Sequence, residues 1–196
     1  MFEYLTNGNL EESLEIYQEY QKLYGTTSFY DDVLRQVMYK IGDLWEKNKL
    51  SVATEHVASN TAHALVRIIA NRQTKPLRKK SILICVPPGE EHNLSCNILE
   101  SYFSCKGFKV YNTSPSAPTP SILDSIKKVK PDKVFVSITL DENLASGQRL
   151  VAKIKENFKI SVYVGGLAIN NKKNIKIDAQ IIHKKSLDEI SKEILS

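Results

Sequence analysis

The chain has 196 residues, with 27 lysines and arginines against 22 aspartates and glutamates for a net charge of +5, and 42% of it is hydrophobic. That length carries one large domain or two small ones, and the balance of charged and apolar residues is that of a soluble globular protein. With no run of about 18 apolar residues and no signal-peptide form in Met1-Phe2-Glu3-Tyr4, the expectation is a cytoplasmic protein without a membrane partner.

Residues 1–72 read as helices. Asn9 and Glu12 have the spacing of a capping box ahead of Leu10, Leu14, Tyr17 and Leu23. Gly25 ends that helix, and Thr27 or Ser28 caps the next, whose stripe is Val33, Val37, Ile41 and Leu44-Trp45. Ser51 caps a third helix carrying Val52, Val57, Ala64, Leu65, Ile68 and Ile69. Short connections make these antiparallel neighbours in a bundle, with residues 1–7 as the stub of a fourth helix.

Residues 73–80 contain one proline and the basic group Lys75, Arg78, Lys79 and Lys80, and read as a solvated linker. No helix-turn-helix or zinc-finger pattern accompanies that charge, so direct nucleic-acid binding is not expected. From 81 to 196 strands and helices alternate. Strands are expected near 81–86, 108–112, 132–138, 160–164 and 178–182, and helices near 94–105, 119–129, 143–157 and 186–195. This is an α/β pattern: a doubly wound, five-stranded parallel sheet in the flavodoxin-like, Rossmann-type order 2-1-3-4-5. Cys85, Cys96 and Cys105 form no CxxC pair, and their odd number points to free thiols used in packing.

The chemistry gathers at the carboxyl ends of the strands, where open α/β sheets bind their ligands. Glu90-Glu91-His92 follows the first strand, with Pro87, Pro88 and Gly89 breaking it. Glu90 lies two residues before His92 and can hold one ring nitrogen. Ser137-Ile138-Thr139-Leu140 ends the third strand, and Gly165-Gly166 follows the fourth. Together they frame a narrow crevice with one imidazole at its mouth. Neither GxGxxG nor a Walker pattern follows the first strand, which argues against a nucleotide enzyme. The histidines His56, His63, His92 and His183 lack the spacing of a self-sufficient metal site.

Glu90-x-His92-x-x-Ser95, Ser137-x-Thr139-Leu140 and Gly165-Gly166 together resemble the cobalamin-binding domain. The resemblance implies a cobalamin bound with its own base displaced and His92 on cobalt as the lower axial ligand. It implies Glu90 as the partner of His92, and Ser137, Thr139, Gly165 and Gly166 lining the groove for the nucleotide tail. Ser95 stands where the family has glycine. In the helical half, Trp45 followed after nine residues by Glu55-His56 resembles the helical cap of light-sensing cobalamin regulators of the CarH type. There the resemblance implies Trp45, Glu55 and His56 over the upper face, around a 5′-deoxyadenosyl group. Glu46 stands where those regulators carry a histidine. The implied organisation is a cap at 1–72, a linker at 73–80 and a Rossmann-like cobalamin domain at 81–196. The implied function is a cobalamin sensor and photoreceptor that prefers adenosylcobalamin. It has no turnover of its own and acts through a homo-oligomer or a separate regulator protein. The alternative is a methyl-carrying corrinoid protein of a methyltransferase system, loaded with methylcobalamin.

Overall fold

The structure is a computed structural model that describes residues 1–73, 76, 80–172 and 175–195. Thr74, Lys75, Leu77, Arg78 and Lys79, which make up most of the expected linker and of its basic group, lie outside the described residues. The chain forms two compact units, Met1–Gln73 and Thr74–Ser196.

The first unit is helical: α1 (Phe2–Thr6), α2 (Leu10–Ser28), a π-helical turn (Phe29–Leu34), α3 (Arg35–Glu46) and α4 (Val52–Arg72). Gly25 breaks α2 with φ 81° and ψ 166°, a conformation that only glycine adopts without strain. The chain then re-enters a helix that runs through the π turn into α3. Asn9 does not form the expected capping box: its side chain makes no cap hydrogen bond. Its backbone carbonyl instead accepts from both Ser13 N and Ser13 Oγ. Ser51 does cap α4, accepting from Thr54 N at 3.1 Å. The unit closes over Leu5, Tyr17, Phe29, Tyr30, Leu34 and Ile41, against Ala58, Ala62, Leu65 and Ile69 of α4. Tyr17 meets the Phe29 ring edge-on at 5.0 Å and bonds Thr26 Oγ1 beyond the Gly25 break, which locks the bend.

The second unit is a five-stranded parallel sheet in the order β2-β1-β3-β4-β5. Its elements are β1 (Ser81–Cys85), α5 (Leu94–Cys105), β2 (Lys109–Asn112), α6 (Thr119–Val129), β3 (Lys133–Ser137), α7 (Leu144–Asn157), β4 (Ser161–Gly165), α8 (Leu167–Asn170), β5 (Gln180–Ile181) and α9 (Leu187–Leu195). The helix α8, directly behind the glycine pair, has no counterpart in the sequence reading. Leu83, Cys85, Val134, Val136, Val162 and Val164 fill one face with Ile122 and Ile126 of α6 and Leu150, Val151 and Ile154 of α7. The alternate residues Ile82, Ile84, Phe135 and Tyr163 are also buried, as a sheet covered on both faces requires. Because all five strands run the same way, the loops after β1, β3 and β4 leave from one edge. Among the described residues no helix is long and apolar enough to cross a membrane. The three cysteines are free thiols, two of them buried.

Candidate functional site

Glu90 is the centre of the edge. Its side chain is fully buried, and every oxygen is used. Oε1 accepts from His92 N at 3.1 Å and from His92 Nδ1 at 2.8 Å. Oε2 accepts from Thr139 N at 2.9 Å, Leu140 N at 3.0 Å and Asn143 Nδ2 at 3.0 Å. Burial alone would raise the carboxyl pKa. The bonds from His92, Leu140, Asn143 and Thr139 outweigh it and bring the pKa down to about 2.

An ionised carboxylate only accepts, so His92 Nδ1 must carry the proton it shares with Glu90. In the neutral ring the lone pair then belongs to Nε2. The imidazole is 44% exposed, in contrast to its buried partner.

The loop is braced on both sides. Gly89, at φ 92°, donates its N–H to Ser116 Oγ at 2.8 Å, and Ser146 Oγ donates to Pro88 O at 2.8 Å. Ser95 Oγ lies 2.9 Å from Ser137 Oγ, so the serine in the family's glycine position pairs with the strand-end hydroxyl. Burial pushes the Cys96 thiol up to about 12, against hydrogen bonding with Ser114, Ser95 and Ser137. It is a neutral thiol under the edge rather than a nucleophile.

Gly165 ends β4 opposite Ser137 of β3, and its carbonyl accepts from Ile138 N at 2.9 Å. A Cβ on Gly166, at φ 117°, would lie 2.2 Å from the Ile138 carbonyl oxygen. The glycine is therefore required by the packing of β3 on β4. Thr139 takes part through its backbone N–H.

The structure thus gathers Glu90, His92, Ser95, Ser137, Thr139, Gly165 and Gly166 along one edge. Trp45, Glu55 and His56 belong to the helical unit. Trp45 is 37% exposed near the end of α3. On α4, Glu55 Oε2 meets His56 Nδ1 at 2.8 Å, and Glu55 Oε1 accepts from Ser59 Oγ at 2.6 Å.

Asn143 is the residue that sequence reasoning missed. It is 7% exposed and sits at the N-cap of α7. Its amide does not cap the helix but donates to Glu90. An asparagine at a helix start is read as a cap, and that ordinary role hid this one.

Among the described residues no three His, Cys, Asp or Glu side chains converge on a metal. One oriented imidazole cannot hold a bare ion, but it can complete one axial position of a metal already enclosed by a macrocycle. The donor set therefore fits a corrin-bound cobalt.

Comparison with known proteins agrees. Residues 1–70 and residues 80–184 each match a family model described as a B12 binding domain. Trimethylamine corrinoid protein 1 of Methanosarcina mazei is 23% identical over 164 residues, covering 79% of this chain and 75% of that protein. The HTH-type transcriptional repressor CarH of Myxococcus xanthus is 24% identical over 143 residues. That match covers 71% of this chain but 47% of the repressor, so the chain spans about half the repressor's length. The solved monomethylamine corrinoid protein of Methanosarcina barkeri superposes with a TM-score of 0.79 at 15% identity, covering 99% of this chain and 94% of its own.

Proposed function

The chain belongs to the B12-binding domain family and is a cobalamin-binding protein, and on that premise we propose that it is a cobalamin sensor without turnover of its own, holding adenosylcobalamin base-off. His92 Nε2 is the lower ligand of cobalt. Glu90 holds the ring through Nδ1 and raises its basicity. Ser137 and Ser95, with the backbone at Gly165 and Gly166, line the groove for the displaced tail. A cobalt–carbon bond that light or group transfer can break is the chemistry cobalamin supplies when bound.

The observation that carries the adenosyl reading is Glu55. It is a carboxylate only 17% exposed, held in place by His56 and Ser59, on the same helical unit as a half-exposed Trp45. A carboxylate can accept from ribose hydroxyls or an adenine amine, and an indole offers a flat face. A methyl group gives neither residue a hydrogen-bonding partner. Glu55 and Trp45 would hold the polar upper group of the cofactor, and losing it would change the helical unit in a way that a partner protein or a second copy could read. Glu46, at the end of α3 and exposed, supplies an oxygen donor and no second imidazole.

The second reading is the methyl-carrying corrinoid protein. It is favoured by how much more of the trimethylamine corrinoid protein than of the CarH repressor the chain matches. Binding isotherms for adenosyl- and methylcobalamin separate the two. Glu55→Gln should weaken adenosylcobalamin about fivefold, the size of one hydrogen bond, Trp45→Ala should weaken it through lost contact with the indole face, and both should leave methylcobalamin unchanged. An equal loss for both cofactors would support the carrier. For the lower face, electron paramagnetic resonance of the cobalt(II) form with nitrogen-15 histidine should report one imidazole nitrogen. If His92→Ala keeps that signal, the ligand assignment is wrong.

A further inference from the structure

The groove beside Ser137 and Gly165 is filled by the chain's own side chains. Ser137 and Phe135 stand on the same face of β3, as residues two apart in a strand do. The register sets them beside Gly165 and Tyr163 of β4. At its carboxyl end that face is covered by α5, through Ser95 Oγ at 2.9 Å from Ser137 Oγ. Further down it is covered by α9, where Tyr163 OH donates to Glu193 O at 3.4 Å. Cys96 also hydrogen-bonds with Ser137, so that hydroxyl is engaged from two residues of α5. Ser137 is 1% exposed and Phe135 2%.

The Phe135 ring reaches along the sheet toward the site. A Cβ built on Gly165 would meet its Cζ at 3.0 Å and Ile182 Cβ at 3.5 Å. The space that the glycine leaves is therefore taken by a ring and by the residue that follows β5. A ring against a glycine is ordinary core packing, but this one lies directly beneath the Ser95–Ser137 pair and leaves no depth for a second ring there. What stays open at the edge is shallow: the exposed His92 imidazole, with Asn93, Leu94, Ser95 and Gly166 half-buried around it.

We infer that this chain does not bury the base of its corrinoid's nucleotide tail, and that Ser95 and Phe135 make it indifferent to which base the tail carries. The inference rests on the proposed reading of His92 as the lower ligand, and narrows the tail groove of that reading to a rim. The ligand class is then any corrinoid whose cobalt accepts an imidazole, including cobinamide, the corrin without the tail. Seating a planar base in the sheet would bury on the order of 150 Å² of aromatic surface and favour cobalamin over cobinamide by about a hundredfold or more. That gain is absent here, and cobalamin must still release its own base from cobalt.

The test is titration of the full chain with cobalamin and with cobinamide, read by absorbance. Cobinamide should bind within about tenfold of cobalamin, or more tightly. Electron paramagnetic resonance of the two cobalt(II) forms with nitrogen-15 histidine should report one imidazole nitrogen in each. Ser95→Gly combined with Phe135→Val opens the groove, and should tighten cobalamin about tenfold while leaving cobinamide unchanged. Cobalamin held through histidine more than about tenfold more tightly than cobinamide by the parent chain would overturn this inference and leave His92 as the ligand. An equal change for both corrinoids, or none, in a variant whose circular dichroism matches the parent would do the same. If the variant does not fold, the comparison in the parent chain decides alone. Loss of the histidine signal with both corrinoids would overturn the reading of His92, and this inference with it.

Discussion

Two carboxylates of this chain each hold a histidine Nδ1 at 2.8 Å, and they could hardly be set more differently. Glu55 sits on α4 and takes its bonds from His56 and Ser59 of the same helix, with its side chain 17% exposed. Glu90 is fully buried and accepts from backbone and side chain 49 to 53 residues away as well as from His92. The helical pair forms wherever the helix forms. The sheet-edge pair forms only when β1, β3 and the turn before α7 are assembled. The same carboxylate–imidazole contact is thus a local ornament in one unit and a record of tertiary folding in the other.

The sharpest way to break that comparison is to remove each carboxylate. Glu90→Ala strands several donors in a buried loop, and should cost about 4 kcal/mol in urea unfolding of the cobalamin-free protein. Glu55→Ala should cost about 0.5 kcal/mol, as for an ordinary surface pair. Similar losses at the two positions would mean that the buried network contributes little.

Acid provides the next effect. The Glu90 pKa is about 2 in the folded chain against 4.5 for a free glutamate. The group's stabilisation is therefore present in full above pH 4.5 and is lost as pH falls from there through 2. The shift corresponds to about 3 kcal/mol. Denaturation series across that window should show the loss, and Glu90→Gln should flatten it. A Glu90→Gln profile parallel to the parent's would assign the acid sensitivity elsewhere.

Smaller effects sharpen the contrast within each unit. Ser95→Ala removes one partner of the buried Ser137 hydroxyl and should cost about 1 kcal/mol, read from the chemical denaturation midpoint. Ser51→Ala removes the α4 cap and should cost a similar or slightly smaller amount, about 0.5–1 kcal/mol, visible as lower helicity on heating.

The sheet was legible because parallel strands buried on both faces are written as β-branched runs, as in Ser81–Cys85 and Lys133–Ser137. Its strand order followed from the alternation with helices. Glu90 and His92 were legible because they are two residues apart in a loop whose place in the fold is set by topology. Asn143 was not, since its bond to Glu90 spans 53 residues and nothing local marks it. Asn9 failed in the opposite sense: the capping-box spacing was present, but the Asn9 N–H that Glu12 would accept in such a box already donates to Tyr4 O at 2.8 Å. The helix α8 was missed because four residues carry too little periodicity to register.

The close approach of Gly166 to the Ile138 carbonyl bears on how mutational scans of this chain should be read. Every side chain at 166 meets backbone that cannot step aside, and the left-handed φ excludes most residues independently. A screen for cobalamin retention would therefore score position 166 as intolerant whether or not a cofactor ever touches it. Gly165 is a different case. Its added Cβ meets a phenylalanine ring edge at 3.0 Å, and a ring can tilt. Of the two adjacent glycines, 166 is barred by backbone and 165 by a side chain, so alanine at 165 should be the milder loss of stability.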